Sequence, residues 1–287
     1  MADAALREGE EIAPGRTAVR HLGGGLRYEA WLAWDDHMRT LVVAKVVRAD
    51  RVGDGDAVDG LAGETAHLQR LAHPMLLRSF GAVLEGPRPH LVLEFIEGPR
   101  LSTLIRRYGV ILEQLLPLAL NLCSVLHYLG REGVVHLDVK PGNVVMAGDP
   151  RLIDLSIARR TEELTGMRSP PGTDGYMAPE QCERERFGEL GPPADVWGLG
   201  VTLYEALARR RPFPDDGERW PQLRHAPEPP PEKLSPAVME PIMACLAWAP
   251  ADRPTAAQLG DALEPLVDAL PAPRMGRFRP APRRRPG

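Results

Sequence analysis

Apolar and polar residues alternate from Tyr28 to Trp34, and after a turn at Asp35 and Asp36 an apolar, β-branched run extends from Leu41 to Val47. A period of two sends neighbouring side chains to opposite faces of a strand, so these segments predict an antiparallel hairpin. Leu61, Ala66, Leu68 and Leu71 then recur at helical spacing ahead of Pro74, which predicts a short helix, and residues 76–84 and 90–96 return to strand character. From Leu101 onward the period becomes helical. Leu115, Leu118, Leu122, Val125, Leu126 and Leu129 line one face of a long buried helix. Later helices carry start signals, Pro236 behind Ser235 and the capping box Thr255 with Gln258, while the proline-rich residues 221–236 read as a surface loop. The expected fold is α+β and bilobal. A small antiparallel β lobe with one helix covers residues 17–95, a larger and mainly α lobe covers 96–268, and residues 1–16 form an N-terminal extension.

Composition fits a folded body of this size: 44% of the 287 residues are hydrophobic and 26% charged, which excludes a disordered chain. The net charge of −4 hides an asymmetry, because the six arginines of residues 271–287 contribute +6 and leave −10 on the preceding residues. With five prolines and no acid, that tail cannot bury a core and is expected to be disordered, free to contact acidic partners. Cys123, Cys182 and Cys245 are scattered and in no metal-binding spacing, which suits a reducing, cytoplasmic compartment. The most apolar stretch, from Ile111 to Leu129, is broken by Glu113, Gln114, Pro117, Asn121 and His127, and residues Met1 to Glu11 are acidic where a signal peptide would be basic, so neither a membrane span nor an export signal is expected. One detail sharpens the search for chemistry. Only Lys45, Lys140 and Lys233 among 35 basic residues are lysines, so each lysine stands where the chain did not write arginine.

Leu22-Gly23-Gly24-Gly25 lies between two predicted strands, where amide groups without side chains can approach phosphate oxygens; three glycines there equally fit a plain flexible turn. Lys45 sits inside an apolar strand, where a lone ammonium is costly without an anionic partner, and Glu64 on the following helix supplies one. The most informative segment is His136-Leu137-Asp138-Val139-Lys140-Pro141-Gly142-Asn143. Asp138 can accept a proton from a hydroxyl, Lys140 can neutralise a migrating phosphoryl group, and Asn143 can coordinate a metal. Asp154, at the end of the apolar run Leu152-Ile153, offers a second oxygen ligand.

With these residues in order, the chain resembles a eukaryotic-type (Hanks-type) serine/threonine protein kinase of the sort bacteria also possess, over about residues 17–268. Gly172-Thr173-Asp174-Gly175-Tyr176-Met177-Ala178-Pro179-Glu180 resembles the family's substrate-side segment, followed by Asp195-Val196-Trp197-Gly198 and Asp252-Arg253-Pro254. The resemblance implies a bilobal protein kinase-like fold, ATP with Mg²⁺ or Mn²⁺, and protein substrates. It implies Asp138, Lys140, Lys45 and Thr173 as catalytic residues and Asn143 and Asp154 as metal ligands. It places Leu22, Gly23, Gly24, Gly25, Lys45 and Glu64 at the phosphates. Around the adenine it places Ala30 and Ala44 against the ring, the backbone of Glu94 and Ile96 along its edge, and Leu93 as gatekeeper. By analogy Glu180 pairs with Arg253, Asp195 braces the catalytic loop, and Thr161, Thr165, Ser169 and Thr173 are candidate autophosphorylation sites.

Three positions depart from the family pattern. Tyr28 replaces the third loop glycine and brings a ring near the phosphates, so weaker ATP binding is expected. Leu137 replaces the arginine that would grip a phosphorylated loop, so activity should depend less on loop phosphorylation. Ser156 replaces the glycine after the metal aspartate and should restrict movement of that segment. Two other readings remain: a pseudokinase scaffold, and a small-molecule kinase of the aminoglycoside or choline type, whose relatives lack the Thr173 segment and a Lys140 equivalent.

Overall fold

The computed structural model describes residues 5–148, 150–165, 167, 171–215, 217–232 and 234–271; Ser169 and the tail beyond 271 lie outside them. Six antiparallel strands form the small lobe: β1 (Glu11–Ala13), β2 (Arg16–Gly24), β3 (Tyr28–Asp35), β4 (Thr40–Val47), β5 (Ser79–Val83) and β6 (His90–Glu94), in the order β1-β2-β3-β4-β6-β5. The predicted hairpin is β3–β4, in unbroken register from Tyr28 opposite Val47 to Asp35 opposite Thr40. The sheet starts earlier than expected, inside the supposed N-terminal extension, because Glu11 pairs with Thr17 across a turn at Gly15.

Helix α1 (Gly55–Arg70) packs on this sheet and is longer than its apolar periodicity suggested. Its first turn, Gly55-Asp56-Ala57-Val58, buries only Ala57, and the Asp54 side chain accepts a hydrogen bond from the Asp56 amide and starts the helix there. Further on, only residues 79–83 of the expected 76–84 strand join the sheet. Leu76 instead forms a single bridge to Leu152 in the other lobe.

The large lobe is built on α3 (Leu112–Arg131), preceded by α2 (Leu101–Arg107). The predicted face of α3, Leu115 to Leu129, is buried against α7 (Pro192–Ala208) and α9 (Ala256–Asp268), with α8 (Pro236–Ala244) closing the base. Thr255 and Gln258 form the expected reciprocal cap of α9, whereas Ser235 precedes α8 without a side-chain cap bond. Within the stretch read as a surface loop, Gln222 and Leu223 are buried. One apolar cluster runs from Leu61, Leu91 and Leu93 in the small lobe through Leu101 and α3 to Leu199 and Leu259, so the lobes share a core.

Two short ladders support the segment between the lobes: β7 (Val134–Val135) with β10 (Arg159–Arg160), and β8 (Val144–Val145) with β9 (Arg151–Leu152). Short helices α4 (Thr161–Leu164), α5 (Pro179–Cys182) and α6 (Arg184–Phe187) follow before α7. Arg253 locks this region. It donates to both oxygens of Glu180 at 2.6 and 2.7 Å and to the carbonyls of Pro193, Ala247 and Trp248, and both side chains are 0% exposed. Arg253→Met would strand a buried carboxylate and should lower unfolding stability by about 3–5 kcal/mol in denaturant titration. A loss below about 1 kcal/mol would refute the role assigned to this pair.

Candidate active site

Strand alternation decides which side chains reach the cleft between the lobes. Lys45 projects there and donates to Glu64 Oε2 at 2.8 Å and to Asp154 Oδ1 at 2.7 Å. Residues directly opposite in an antiparallel pair share a face, so Ala30 lies on the Lys45 side, as do Val43 and Leu93. Ala44 does not. It is fully buried on the other face of the sheet with Trp31, Val42, Val46 and Val92, which corrects its assignment to the adenine pocket. Counting two residues back from the lysine points to Val43, a position that sequence reading overlooked.

The turn between β2 and β3 supplies the glycine-rich segment. Gly23 has φ 131, and a Cβ on Gly24 would lie 2.8 Å from the Tyr28 carbonyl oxygen, so both positions require glycine for reasons of backbone. Leu22 lies in β2, and Gly25 donates to the Tyr28 carbonyl across the turn. Glu94 ends β6, with Ile96 two residues beyond it.

The loop from β7 to β8 carries the densest polar network. Asp195, on buried α7, accepts from the amides of His136 and Leu137 at 2.7 and 2.8 Å. His136 lies between two backbone groups, with Nδ1 at 3.3 Å accepting from the Asp138 amide and Nε2 facing the Ile153 carbonyl. Asp138 is thereby aimed at the cleft. Its Oδ2 accepts from Lys140 Nζ at 2.6 Å and from Asn143 Nδ2 at 2.9 Å, and its Oδ1 accepts from the Thr173 hydroxyl at 2.7 Å. Lys140 also donates to Thr173 Oγ1 at 2.5 Å. The Asn143 amide nitrogen additionally meets the Asp138 carbonyl, which directs its oxygen end away from Asp138.

Leu137 and Asp154 both have left-handed backbones, φ 67 and 70, a strained state for non-glycine residues. In each case the chain on either side is held: by Asp195 and by Gln181, which donates to the Leu137 carbonyl, and by Lys45 at Asp154. Ser156 donates its amide back to Asp154 Oδ1. Leu137 is buried in an apolar cluster with Val135, Leu164, Ala178 and Trp197, so α4 is seated by packing where a charge pair was absent.

Charge follows from this geometry. Burial opposes the Lys45 ammonium, but Glu64 and Asp154 outweigh it and hold the group above the ordinary lysine range. Burial likewise opposes the Asp154 carboxylate, and Lys45 more than compensates, holding it well below the ordinary range. Glu64 is raised by burial despite Lys45, being the most enclosed member of the trio at 1% side-chain exposure.

The sequence-predicted residues Lys45, Glu64, Asp138, Lys140, Asn143, Asp154 and Thr173 therefore line one cleft. A loop braced by a helix aspartate, a strand lysine paired to a helix glutamate, and a two-lobed frame together make up the architecture of a protein kinase domain. The chain belongs to the protein kinase domain family, whose match covers residues 16–262. It is 31% identical over 273 residues to serine/threonine-protein kinase PknA of Mycobacterium tuberculosis, covering 90% of this chain and 61% of that protein. It is 32% identical over 244 residues to serine/threonine-protein kinase PkaA of Streptomyces coelicolor, covering 80% and 44%. To mitogen-activated protein kinase kinase kinase 3 of Arabidopsis thaliana it is 28% identical over 268 residues, covering 88% and 40%. The chain thus spans less than two thirds of the length of these relatives. Among the described residues no helix is long and apolar enough to cross a membrane.

Removing the Lys45 charge should leave a pH signature. In Lys45→Met the buried Glu64 loses its compensating cation, so its folded pKa moves further above the unfolded value of about 4.3. The folded state then binds more protons than the unfolded one, and stability falls as pH rises from about 5 to 8 relative to wild type. Thermal unfolding across that range reads the slope, and parallel curves for the two proteins would contradict it.

Proposed function

We propose that this chain is a serine/threonine protein kinase that transfers the γ-phosphoryl group of ATP to hydroxyls on protein substrates, with autophosphorylation as one outcome. The observation that carries this reading is the Asp138 carboxylate, fixed from three sides by Lys140, Asn143 and Thr173. In this reading Asp138 orients the acceptor hydroxyl and takes its proton as the new oxygen–phosphorus bond forms and the bond to ADP breaks. Lys140 lies within reach of the oxygens on which charge develops. Lys45 and the amides of Gly23 to Gly25 hold the phosphates, with Glu64 keeping the ammonium in place. Ala30 and Val43 enclose the adenine, beside Leu93 and the backbone of Glu94 and Ile96.

Asn143 and Asp154 fit Mg²⁺ or Mn²⁺ as an all-oxygen pair: Asp154 has a side chain 39% exposed toward the cleft, and the Asn143 nitrogen is already engaged. A bound metal would neutralise phosphate charge there. Thr173 supports a protein acceptor over a small alcohol, because its hydroxyl ties the substrate-side segment to Asp138. That same bond makes Thr173 a structural threonine, leaving Thr161 and Thr165 as the described candidate phosphosites. The three free cysteines, two of them buried, are compatible with a reducing cytoplasm, and in this reading the arginines of the tail contact acidic partners.

Purified protein with labelled ATP and Mg²⁺ should phosphorylate itself or a generic protein acceptor on serine or threonine, and Asp138→Asn should lower the rate by about 10²–10⁴-fold while remaining folded. Equal incorporation by both proteins would defeat the proposal. Because Leu137 and Leu164 seat α4 by packing, Thr161→Ala with Thr165→Ala should stay within about twofold of wild-type activity, as expected of surface substitutions. A tenfold loss, restored by acidic replacements, would show that loop phosphate is required after all.

A further inference from the structure

We propose that Tyr28 is a positioning residue that latches the first turn of α1 to the end of the glycine-rich turn, and so keeps Glu64 seated against Lys45. Tyr28 opposes Val47 in the β3–β4 ladder, which puts its side chain on the same face of the sheet as Lys45. The ring passes beside the Lys45 ammonium, 5.1 Å from Nζ to the ring centre, and does not stop there. Its hydroxyl reaches α1 and donates to the carbonyl of Ala57 at 2.8 Å.

A second, independent observation lies on the helix. A Cβ added to Gly60 would stand 2.3 Å from the Tyr28 hydroxyl oxygen. Glycine inside a helix is less favourable than alanine, so Gly60 gives up helix stability at the one place where the tyrosine needs the room. Ala57, Gly60 and Glu64 are three and four residues apart and fall on one helix face. That face is therefore fastened twice, by Tyr28 at its N-terminal turn and by Lys45 at Glu64, with about 10 Å of helix axis between Ala57 and Glu64. A single ion pair lets a helix pivot about the contact; two contacts on one face fix its direction. Burial also raises the Tyr28 hydroxyl pKa, so it stays a protonated donor.

The kinetic arm of the test rests on the phosphoryl-transfer reading, whereas the exchange arm does not. Tyr28→Phe removes one oxygen atom and keeps the ring. Amide hydrogen exchange in α1 should rise about fivefold, the worth of one hydrogen bond, with α3 unchanged as internal control. The turnover number should fall by a similar factor of about five with KM for ATP little altered, since the ring beside the phosphates is still there. Gly60→Ala should lower activity more, and Tyr28→Gly combined with Gly60→Ala should match Tyr28→Gly alone, because the added methyl then meets no hydroxyl. Unchanged exchange in Tyr28→Phe, or a Gly60→Ala defect of equal size with and without the tyrosine, overturns the latch. If Gly60→Ala fails to fold, the Tyr28→Phe exchange measurement decides alone. Absence of phosphoryl transfer in every protein, wild type included, would defeat the kinase reading and leave the exchange result standing.

Discussion

A lysine ammonium held inside the protein is the constraint on which the rest of this structure depends. Lys45 meets Glu64 and Asp154 at once, and these three residues come from the sheet, from α1 and from the segment just after β9. An isolated buried charge is costly, and so is a buried carboxylate at Glu64, so each element is held where it is by the need of another. The trio therefore ties local strand alternation to the relative placement of three segments far apart in sequence. A guanidinium could supply the charge, but its planar fork would demand different oxygen positions; a compact ammonium accepts two carboxylates from different directions.

The same economy operates in the large lobe with backbone partners. Asp195 takes two amides of the loop between β7 and β8, and Arg253 combines a carboxylate with three carbonyls. Both anchors sit in or beside α7, the most buried helix, so the loop that carries Asp138 inherits its position from the part of the molecule least able to move. Strain persists at Leu137 because Asp195 and Gln181 hold its amide and its carbonyl, and at Asp154 because Lys45 and the Ser156 amide hold its carboxylate.

Much of this was legible in the sequence, for identifiable reasons. Lys45 in an apolar strand demanded an acid, and Glu64 was the acid the following helix offered. The polar spacing from His136 to Asn143 could not be a strand or helix face, and it proved to be one network around Asp138. What stayed hidden depended on side-chain direction. The family resemblance assigns Ala44 to the adenine, although a residue adjacent to Lys45 in a strand must face the other way, and the same alternation brings Val43 to the Lys45 side. The first turn of α1 is not legible from periodicity because a cap and a single buried alanine, Ala57, start it, not a run of apolar positions. Leu137 was legible as a missing cation, but that Leu164 would pack into its cluster was not, because nothing in their spacing of 27 residues encodes the contact. The sequence offers Tyr28 only as a ring near the phosphates; its reach to Ala57 depends on where the helix sits.

The apolar cluster that crosses from Leu91 and Leu93 to α3 and α9 also sets how the molecule responds to whatever enters the cleft. Because this cluster spans both lobes, the two halves are expected to unfold together in one transition. A small molecule that grips only the small-lobe wall of the cleft, at Ala30 and Val43, is then expected to shift the single transition of the whole body, and the size of that shift reflects affinity without revealing which lobe was touched. Screening by thermal shift would thus detect cleft binders here with good sensitivity, yet it would need a separate positional probe to tell them from ligands lodged elsewhere.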